Sequence, residues 1–395
     1  MSQLSYIEKL LDGAEVEWVP LGDVAEIKRG ISITKKSVVD GDVPVIAGGR
    51  KPAYYHNKSN RTGQTIVIAG SGAYAGFISW WEKPIFVSDA FTIKPNDGVL
   101  AKYCFYFLQG LQQQLHESKS GVGIPHVYPR NVAPLKIPIP CPGNPKKSLA
   151  IQAEIVRILD AFTSLTAELK AELTARKKQY NYYRDQLLTF SDDDVEWKPL
   201  REIAEYSKTR IRHEQLDETN YVGVDNLLQN RAGKEKSSHI PTSGTLTEYR
   251  AGAILIGNIR PYLKKIWQAD RVGGTNGDVL VVNITDKSVS SRYLYQVLAH
   301  DKFFEYNMQH AKGAKMPRGN KSKIMEYGIP IPCPNNPKKS LAEQARIVAI
   351  LDAFDALTNS ITEGLPREIV LQQKQYEYYR DLLFNFPKPV QEQRT

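Results

Sequence analysis

IPIPCPGNPKKSLAIQAEIVRILDAF, residues 137–162, returns as IPIPCPNNPKKSLAEQARIVAILDAF at residues 329–354, with 22 identities in 26 positions at a constant offset of 192. The segments upstream of the two copies differ almost completely. A chain that repeats its frame and varies what the frame carries has the organisation of a two-site reader, so the repeat decides the fold. The repeated unit extends beyond the identical block. Val16-Glu17-Trp18-Val19-Pro20-Leu21 returns as Val195-Glu196-Trp197-Lys198-Pro199-Leu200, and the Tyr-rich stretch that begins at Tyr180 returns at Tyr376. Each unit is a variable region (16–136, then 195–328) followed by a shared region (137–190, then 329–386). A short acidic linker, Ser191 to Asp194, joins the units, and residues 387–395 form a tail. Residues 1–15 are a part-copy of the end of a shared helix, because Tyr6 to Leu11 precedes the first VEW as Tyr183 to Leu188 precedes the second. That circular arrangement predicts that the first dozen residues pack where two long helices meet.

The shared regions read as helix. Ser148 and Ser340 are candidate N-caps after a Pro-rich approach. A 4-3 spacing then runs through Ile155, Leu159, Phe162, Thr166, Leu169, Leu173, Arg176, Tyr180, Tyr183 and Leu187, a coiled-coil seam with two polar interruptions. About 40 residues of helix span about 60 Å. The second helix starts in the same register through Ile347, Leu351 and Phe354 and continues through Ile361, Leu365 and Ile369, so its Tyr-rich end shifts from offset 192 to 196. A four-residue insertion is a stutter that locally unwinds a supercoil, and Gly364 and Pro366 predict a kink or break there. A two-fold relating the copies requires the helices to pair antiparallel.

The variable regions read as mixed α/β. In the first, 64–69 and 85–94 are β-rich, 70–76 turns between strands, and 101–115 is a helix with an aromatic face. In the second, 253–257, 266–268 and 278–284 are strands and 291–308 is a helix. The order matches, and even Gly121-x-x-x-Pro125 and Gly313-x-x-x-Pro317 keep the offset of 192. The expected fold class is α/β (α+β): two mixed α/β domains of one fold, separated by two long antiparallel helices in a pseudo-two-fold repeat.

Composition narrows the function. At 395 residues the chain has room for two or three domains, and 42% hydrophobic with 24% charged residues is ordinary for a soluble protein. No apolar run approaches the roughly 20 residues of a membrane span, and the N-terminus lacks a signal-peptide core. Cys104, Cys141 and Cys333 form neither a disulfide framework nor a CxxC pair, which predicts a reducing cytoplasm. A net charge of +9 and a pI near 9.1 favour a polyanionic partner.

Motifs for chemistry fail one by one. Gly70 to Gly76 lacks both the dinucleotide spacing and the Walker lysine. Pro140-Cys141 and Pro332-Cys333 suggest a cytosine-methyltransferase nucleophile, but they recur identically at both helix starts without an S-adenosylmethionine motif. Glu26-Ile27-Lys28 has no acidic partner strand for a nuclease site. The seven histidines form no zinc pattern, and no nucleophile elbow is present. No catalytic residue and no metal ligand is assigned. What the variable regions offer is basic and aromatic loop residues. The first has Arg50, Lys51, Tyr54, Tyr55 and His56, then Ser71 and Tyr74, then His126 and Arg130. The second has Asn258, Arg260, Tyr262, Lys264 and Lys265, then Lys315, Arg318, Asn320 and Lys321. Arg and Asn suit guanine and adenine edges and Lys suits phosphates, so these are the candidate DNA-binding residues. Leu159, Phe162, Leu169, Leu173, Leu351, Phe354, Ile361 and Leu365 are the candidate spacer seam.

VEW-x-PL, the IPIPCP block with its long helix, and the RKKQYNYYRDQLL and LQQKQYEYYRDLLF ends together resemble the specificity subunit of type I restriction–modification enzymes, the type IC branch in particular. The resemblance covers the whole chain and is specific in the shared regions. It implies two target recognition domains, each docking half of a bipartite site in double-stranded DNA. It also implies assembly with two methyltransferase subunits and two restriction subunits. S-adenosylmethionine, ATP and Mg²⁺ would sit on those partners and none on this chain. The alternatives are a self-sufficient DNA methyltransferase or nuclease, and a coiled-coil adaptor that binds only protein. The lack of catalytic motifs speaks against the first, and the duplicated variable domains speak against the second.

Overall fold

Each variable region is held by a two-stranded clasp. Val16–Pro20 pairs antiparallel with Lys136–Pro140, and Val195–Pro199 pairs with Gly328–Pro332 in the same register, Val16 facing Pro140 and Val195 facing Pro332. The IPIP stretch is therefore a strand and not merely an approach to helix. A two-stranded ladder is all edge, so a missing proline N–H breaks no central ladder. Ile137 and Ile329 turn inward and are fully buried.

The computed structural model describes residues 6–120, 123–191, 195–360 and 363–387. Gly121, seam position Ile361, linker residues 192–194 and the tail from residue 388 lie outside the described residues. The chain forms two compact units, Met1–Ala167 with Leu371–Thr395, and Glu168–Val370. Each unit contains one variable region, the start of the long helix that follows it, and the end of the other long helix. The units thus cut across the division into variable and shared regions.

Both units are built alike. In the first, a four-stranded antiparallel sheet has the order Ala25–Arg29, Ala90–Pro95, Thr65–Ala69, Ile78–Trp81. In the second the order is Ala204–Tyr206, Val279–Ile284, Ile254–Gly257, Ile266–Gln268. The central strands Thr65–Ala69 and Ile254–Gly257 are buried along their whole length, as their apolar runs require. A second sheet accompanies each, three-stranded in the first unit and four-stranded in the second: Val43–Ile46 lies parallel to Phe86–Val87 in one, and Tyr221–Val222 parallel to Gly273–Thr275 in the other. The predicted helix over 101–115 breaks at Leu111, and that over 291–308 breaks at Ala299 and His300.

The first long helix, Pro145–Leu187, is unbroken. Its cap is Asn144, whose side chain accepts the Lys147 N–H at 3.1 Å, and Asn336 does the same for Lys339 at 3.0 Å. Ser148 and Ser340 therefore do not cap, because helix begins earlier, at Pro145 and Pro337, where an absent N–H is no loss. The seam follows the 4-3 spacing as far as Tyr180; beyond it Tyr183 is exposed, and burial passes to Arg184 and Leu188 in two steps of four. Leu159 and Leu351 are fully buried, while Phe162, Leu169, Leu173, Phe354 and Leu365 are half-buried. Phe162 stacks on Tyr379 at 5.2 Å in the first unit, and Phe354 stacks on Tyr183 at 5.5 Å and on Tyr180 at 5.8 Å in the second. The start of each helix meets the end of the other, which is the antiparallel sense. The second helix breaks between Pro337–Asn359 and Gly364–Leu383. Gly364 has φ +72°, and a Cβ there would collide with the carbonyls of Ala356 and Leu357. Ile7 and Leu11 are buried in the same cluster as Ile151, Ile155, Tyr376 and Leu383, so the N-terminal helix Tyr6–Leu11 joins the first unit's core at the helix pair. No helix of the described residues is long and apolar enough to cross a membrane.

The same side chains fasten both variable regions to the frame. Tyr103 donates to the Pro138 carbonyl at 2.7 Å, and Tyr293 to Pro330 at 2.8 Å. Lys102 pairs with Asp160 at 2.8 Å, and Arg292 with Asp352 at 2.9 Å. Gln152 accepts the Leu100 N–H and donates to the Gly98 carbonyl, both at 2.9 Å. Gln344 repeats this on Ser290 N–H at 2.8 Å and the Ser288 carbonyl at 2.9 Å. Both glutamines are fully buried, so each replaces every contact with water by a bond to protein.

Candidate nucleic-acid interface

The loop leaving each central strand is stitched to a hairpin near the end of its variable region. In the first unit Ser71 bridges His126, and Ser120 and His126 exchange both backbone bonds. In the second Ile259 bridges Arg318, and Lys312 and Arg318 exchange both bonds at 2.9 and 2.8 Å. Flanking bonds repeat as well. Gly70 N–H donates to Asp89 O and Gly72 N–H to Pro125 O; Asn258 N–H donates to Asp278 O and Arg260 N–H to Pro317 O. Backbone geometry is common to both units, and the side chains mounted on it differ.

In the first unit Ser71, Tyr74 and His126 sit on this stitched loop. The guanidinium of Arg50 lies 4.9 Å over the exposed Tyr74 ring. His126 stacks on Tyr128 at 5.7 Å, and Arg130 covers the same tyrosine at 4.8 Å. Arg29, which sequence reasoning passed over, adds a second cation 5.6 Å from that ring. Tyr54, Asp89, His126, Tyr128 and Arg29 line one cleft of about 570 Å³. Ser71 donates to Asp89. Lys51 and Tyr55 are exposed. His56 is a correction: it is 7% exposed, its Nδ1 accepts the Val39 N–H at 3.1 Å, and its ring stands edge-on to Phe86, so it belongs to the core.

In the second unit Arg260, Tyr262, Lys315, Arg318 and Lys321 are exposed. Arg260 and Lys264 both hold left-handed φ of 52°, a conformation costly for residues with a Cβ and concentrated at functional loops. Four candidates turn inward. Asn258 is 4% exposed. Lys264 pairs with Asp301 at 2.7 Å, and Lys265 donates to the Val224 carbonyl; burial holds both amines below the ordinary lysine value. Asn320 spends its side-chain oxygen on the Ser322 and Lys323 N–H groups as a helix cap. Asp89 and Asp278 were missed. Each stands immediately before the last strand of its sheet, and aligning the two copies on that strand would have paired them.

Asp301 opens a short helix, Asp301–Gln309, capped by His300, whose Nδ1 accepts the Lys302 N–H at 3.0 Å. The cap needs Nδ1 unprotonated, and burial holds the imidazole below its ordinary value of 6.5, with the nearby Asp185 opposing. A depressed histidine contributes stability above its unfolded value and loses it as pH falls through the folded one. Hydrogen exchange of amides 301–309, corrected for intrinsic rate, should show protection falling between neutral pH and the range below 6.5. His300→Asn keeps the cap and should abolish that pH dependence; an unchanged slope would refute the assignment.

Comparisons with known proteins converge on one family. The model of the type I restriction modification DNA specificity domain matches residues 14–176 and again 192–371. The EcoR124I/EcoR124II type I restriction enzyme specificity subunit of Escherichia coli is 35% identical over 98% of this chain and 99% of its own length. The EcoprrI specificity subunit of the same species is 32% identical over 92% and 93%. Among solved structures, the S subunit of a type I restriction–modification system from M. genitalium superposes with a TM-score of 0.60 over 95% of this chain and 98% of that one, at 15% identity. The fold is thus shared where little sequence is.

Proposed function

The chain belongs to the family of type I restriction–modification specificity subunits, and we propose that it reads an asymmetric bipartite site in double-stranded DNA, one half with each unit. The observation that carries this is the stitched loop: one backbone device in both units, bearing Ser71, Tyr74 and His126 in the first and Arg260, Tyr262 and Arg318 in the second. Unlike side chains on like frames read unlike sequences, so the two half-sites differ. The surrounding lysines and arginines hold phosphates and make binding fall with salt.

The chain supplies position, and other subunits supply reaction. In this reading two methyltransferase subunits bring S-adenosylmethionine, and two restriction subunits bring ATP and Mg²⁺. A surface suited to twin partners is present on the repeated helix ends. Tyr182 and Tyr183 stand edge to face at 5.5 Å, and Tyr378 and Tyr379 do the same at 5.3 Å, with Tyr182 and Tyr378 more than half exposed. Large exposed aromatics kept at equivalent positions suit a protein interface.

Methylation profiling of DNA exposed to the chain with its methyltransferase subunits tests the reading, and a motif of two unlike halves is expected. The segment Leu165-Thr-Ala-Glu-Leu169-Lys-Ala-Glu-Leu173 lies inside the unbroken helix and repeats a four-residue unit. One more Thr-Ala-Glu-Leu lengthens that helix by about 6 Å, near two base-pair steps of about 3.4 Å. The insertion should widen the unspecified gap and leave both half-sites intact. An altered half-site with an unaltered gap would count against a helical ruler.

A further inference from the structure

Arg318 is the one member of the second unit's loop cluster whose cation is both exposed and tied down. Its Nη1 donates to Asp278 Oδ1 at 2.6 Å, with the two side chains 53% and 35% exposed. Ion pairs of this exposure contribute little to stability, because two long side chains must be held in one geometry. Here both backbones are fixed independently of the pair. Arg318 sits in the reciprocal bridge with Lys312, and its neighbours Pro317 and Gly319 are bonded to Arg260 and Asn258. Asp278 is held by the Asn258 N–H on its carbonyl at 2.8 Å and by Asn276 Oδ1 on its own N–H at 3.1 Å. The fork is therefore pre-positioned, and its ordering entropy is already spent before DNA arrives.

The pairing also decides which nucleic-acid atom the fork suits. A guanidinium beside a carboxylate is nearly neutral as a pair, so it is a poor phosphate anchor. Arg260, Lys312 and Lys315 have no acidic partner among the described residues and suit that task better. What Arg318 retains is directional: one N–H is engaged by Asp278, and the remaining donors of the planar fork match the N7 and O6 acceptors of guanine in the major groove. In the first unit the same station holds His126, and the equivalent carboxylate, Asp89, is taken by Ser71. The bridge position itself holds an imidazole in place of a guanidinium, and Arg29 and Arg130 stand beside it over Tyr128.

We propose that Arg318 reads a guanine in the half-site of the second unit, and that Asp278 is the positioning residue that aims it. The assignment rests on the DNA reading given above. The test uses the full chain assembled with its methyltransferase subunits and scores methylation across a randomised DNA library. Arg318→Ala and Arg318→Lys should each lose the guanine preference at one position of one half-site by roughly 5- to 150-fold, with every other position as sharp as before. The lysine variant keeps the charge, so it separates loss of the fork from loss of a phosphate contact. Asp278→Asn should weaken the same single position by a smaller factor, and Asp278→Glu should restore it in part, which a merely structural role would not do. The assignment is overturned if both Arg318 variants keep all positions sharp, with or without a uniform loss of rate, or if Asp278→Asn blurs the whole half-site evenly. Failure of the DNA reading looks different: the unsubstituted complex would then show no defined motif at all.

Discussion

Exchange of residues 16–136 for the variable region of another family member should replace one half-site of the methylation motif entirely and leave the other half-site as it was. The clasp makes the graft physically simple. Both cut points fall on one antiparallel pair, Val16–Pro20 with Lys136–Pro140, so the incoming first strand pairs with the frame's residues 137–140. The frame supplies the rest of the fastening through the Pro138 carbonyl, Gln152 and Asp160. The donor region must bring a tyrosine where Tyr103 stands and a cation where Lys102 stands, because those are the groups the frame is shaped to receive. The second unit meets the same terms with Tyr293 and Arg292. Methylation profiling of the hybrid is the measurement. A hybrid that alters both half-sites would mean that the units do not read separately.

Gln344→Ala should destabilise the second unit by about 2–5 kcal/mol and leave the first unit's protection from hydrogen exchange unchanged. The side chain is fully buried, and its amide serves Ser290, Ser288 and, at 3.1 Å, Ser340. Truncation strands an N–H at the start of the helix Ser291–Leu298 and a carbonyl beside it, and it opens a cavity at the joint between frame and reader. Exchange in 291–298 should rise first. Gln152→Ala should do the same to the first unit's helix Ala101–Gly110. If exchange rose equally in both units on either substitution, the joint would not be local.

Sequence carried the frame further than the surface. The 4-3 spacing of Leu159, Phe162, Leu169 and Leu173 is a statement about one helix, and burial followed it. The break at Gly364 was equally local, since a left-handed φ and a proline two residues on leave helix little choice. The clasps were missed because IPIP alternates correctly for a strand, yet its prolines argue against one until a two-stranded edge is admitted. The second sheets were missed because Tyr221–Val222 is too short to show a period, and because the single run read over 85–94 is two strands, Phe86–Val87 in the second sheet and Ala90–Pro95 in the first. Among the loop candidates, Tyr74 and Arg318 emerged outward, whereas His56, Asn258 and Lys264 turned inward. Nothing in a loop's composition says which side faces solvent. That depends on partners such as Val39 and Asp301, which lie far away in the chain.

The clasps have a consequence for how such proteins diversify. Because the polypeptide goes in and comes out side by side, the stretch between can grow or shrink without disturbing the scaffold that carries it. The second stretch, from Val195 to Pro332, is already thirteen residues longer than the first, from Val16 to Pro140, on the same register. A joint placed within the near-identical blocks at 137–162 or 329–354 falls on residues that both units of this chain already fold alike, so one scaffold can carry a new reader that brings the tyrosine and the cation the frame receives.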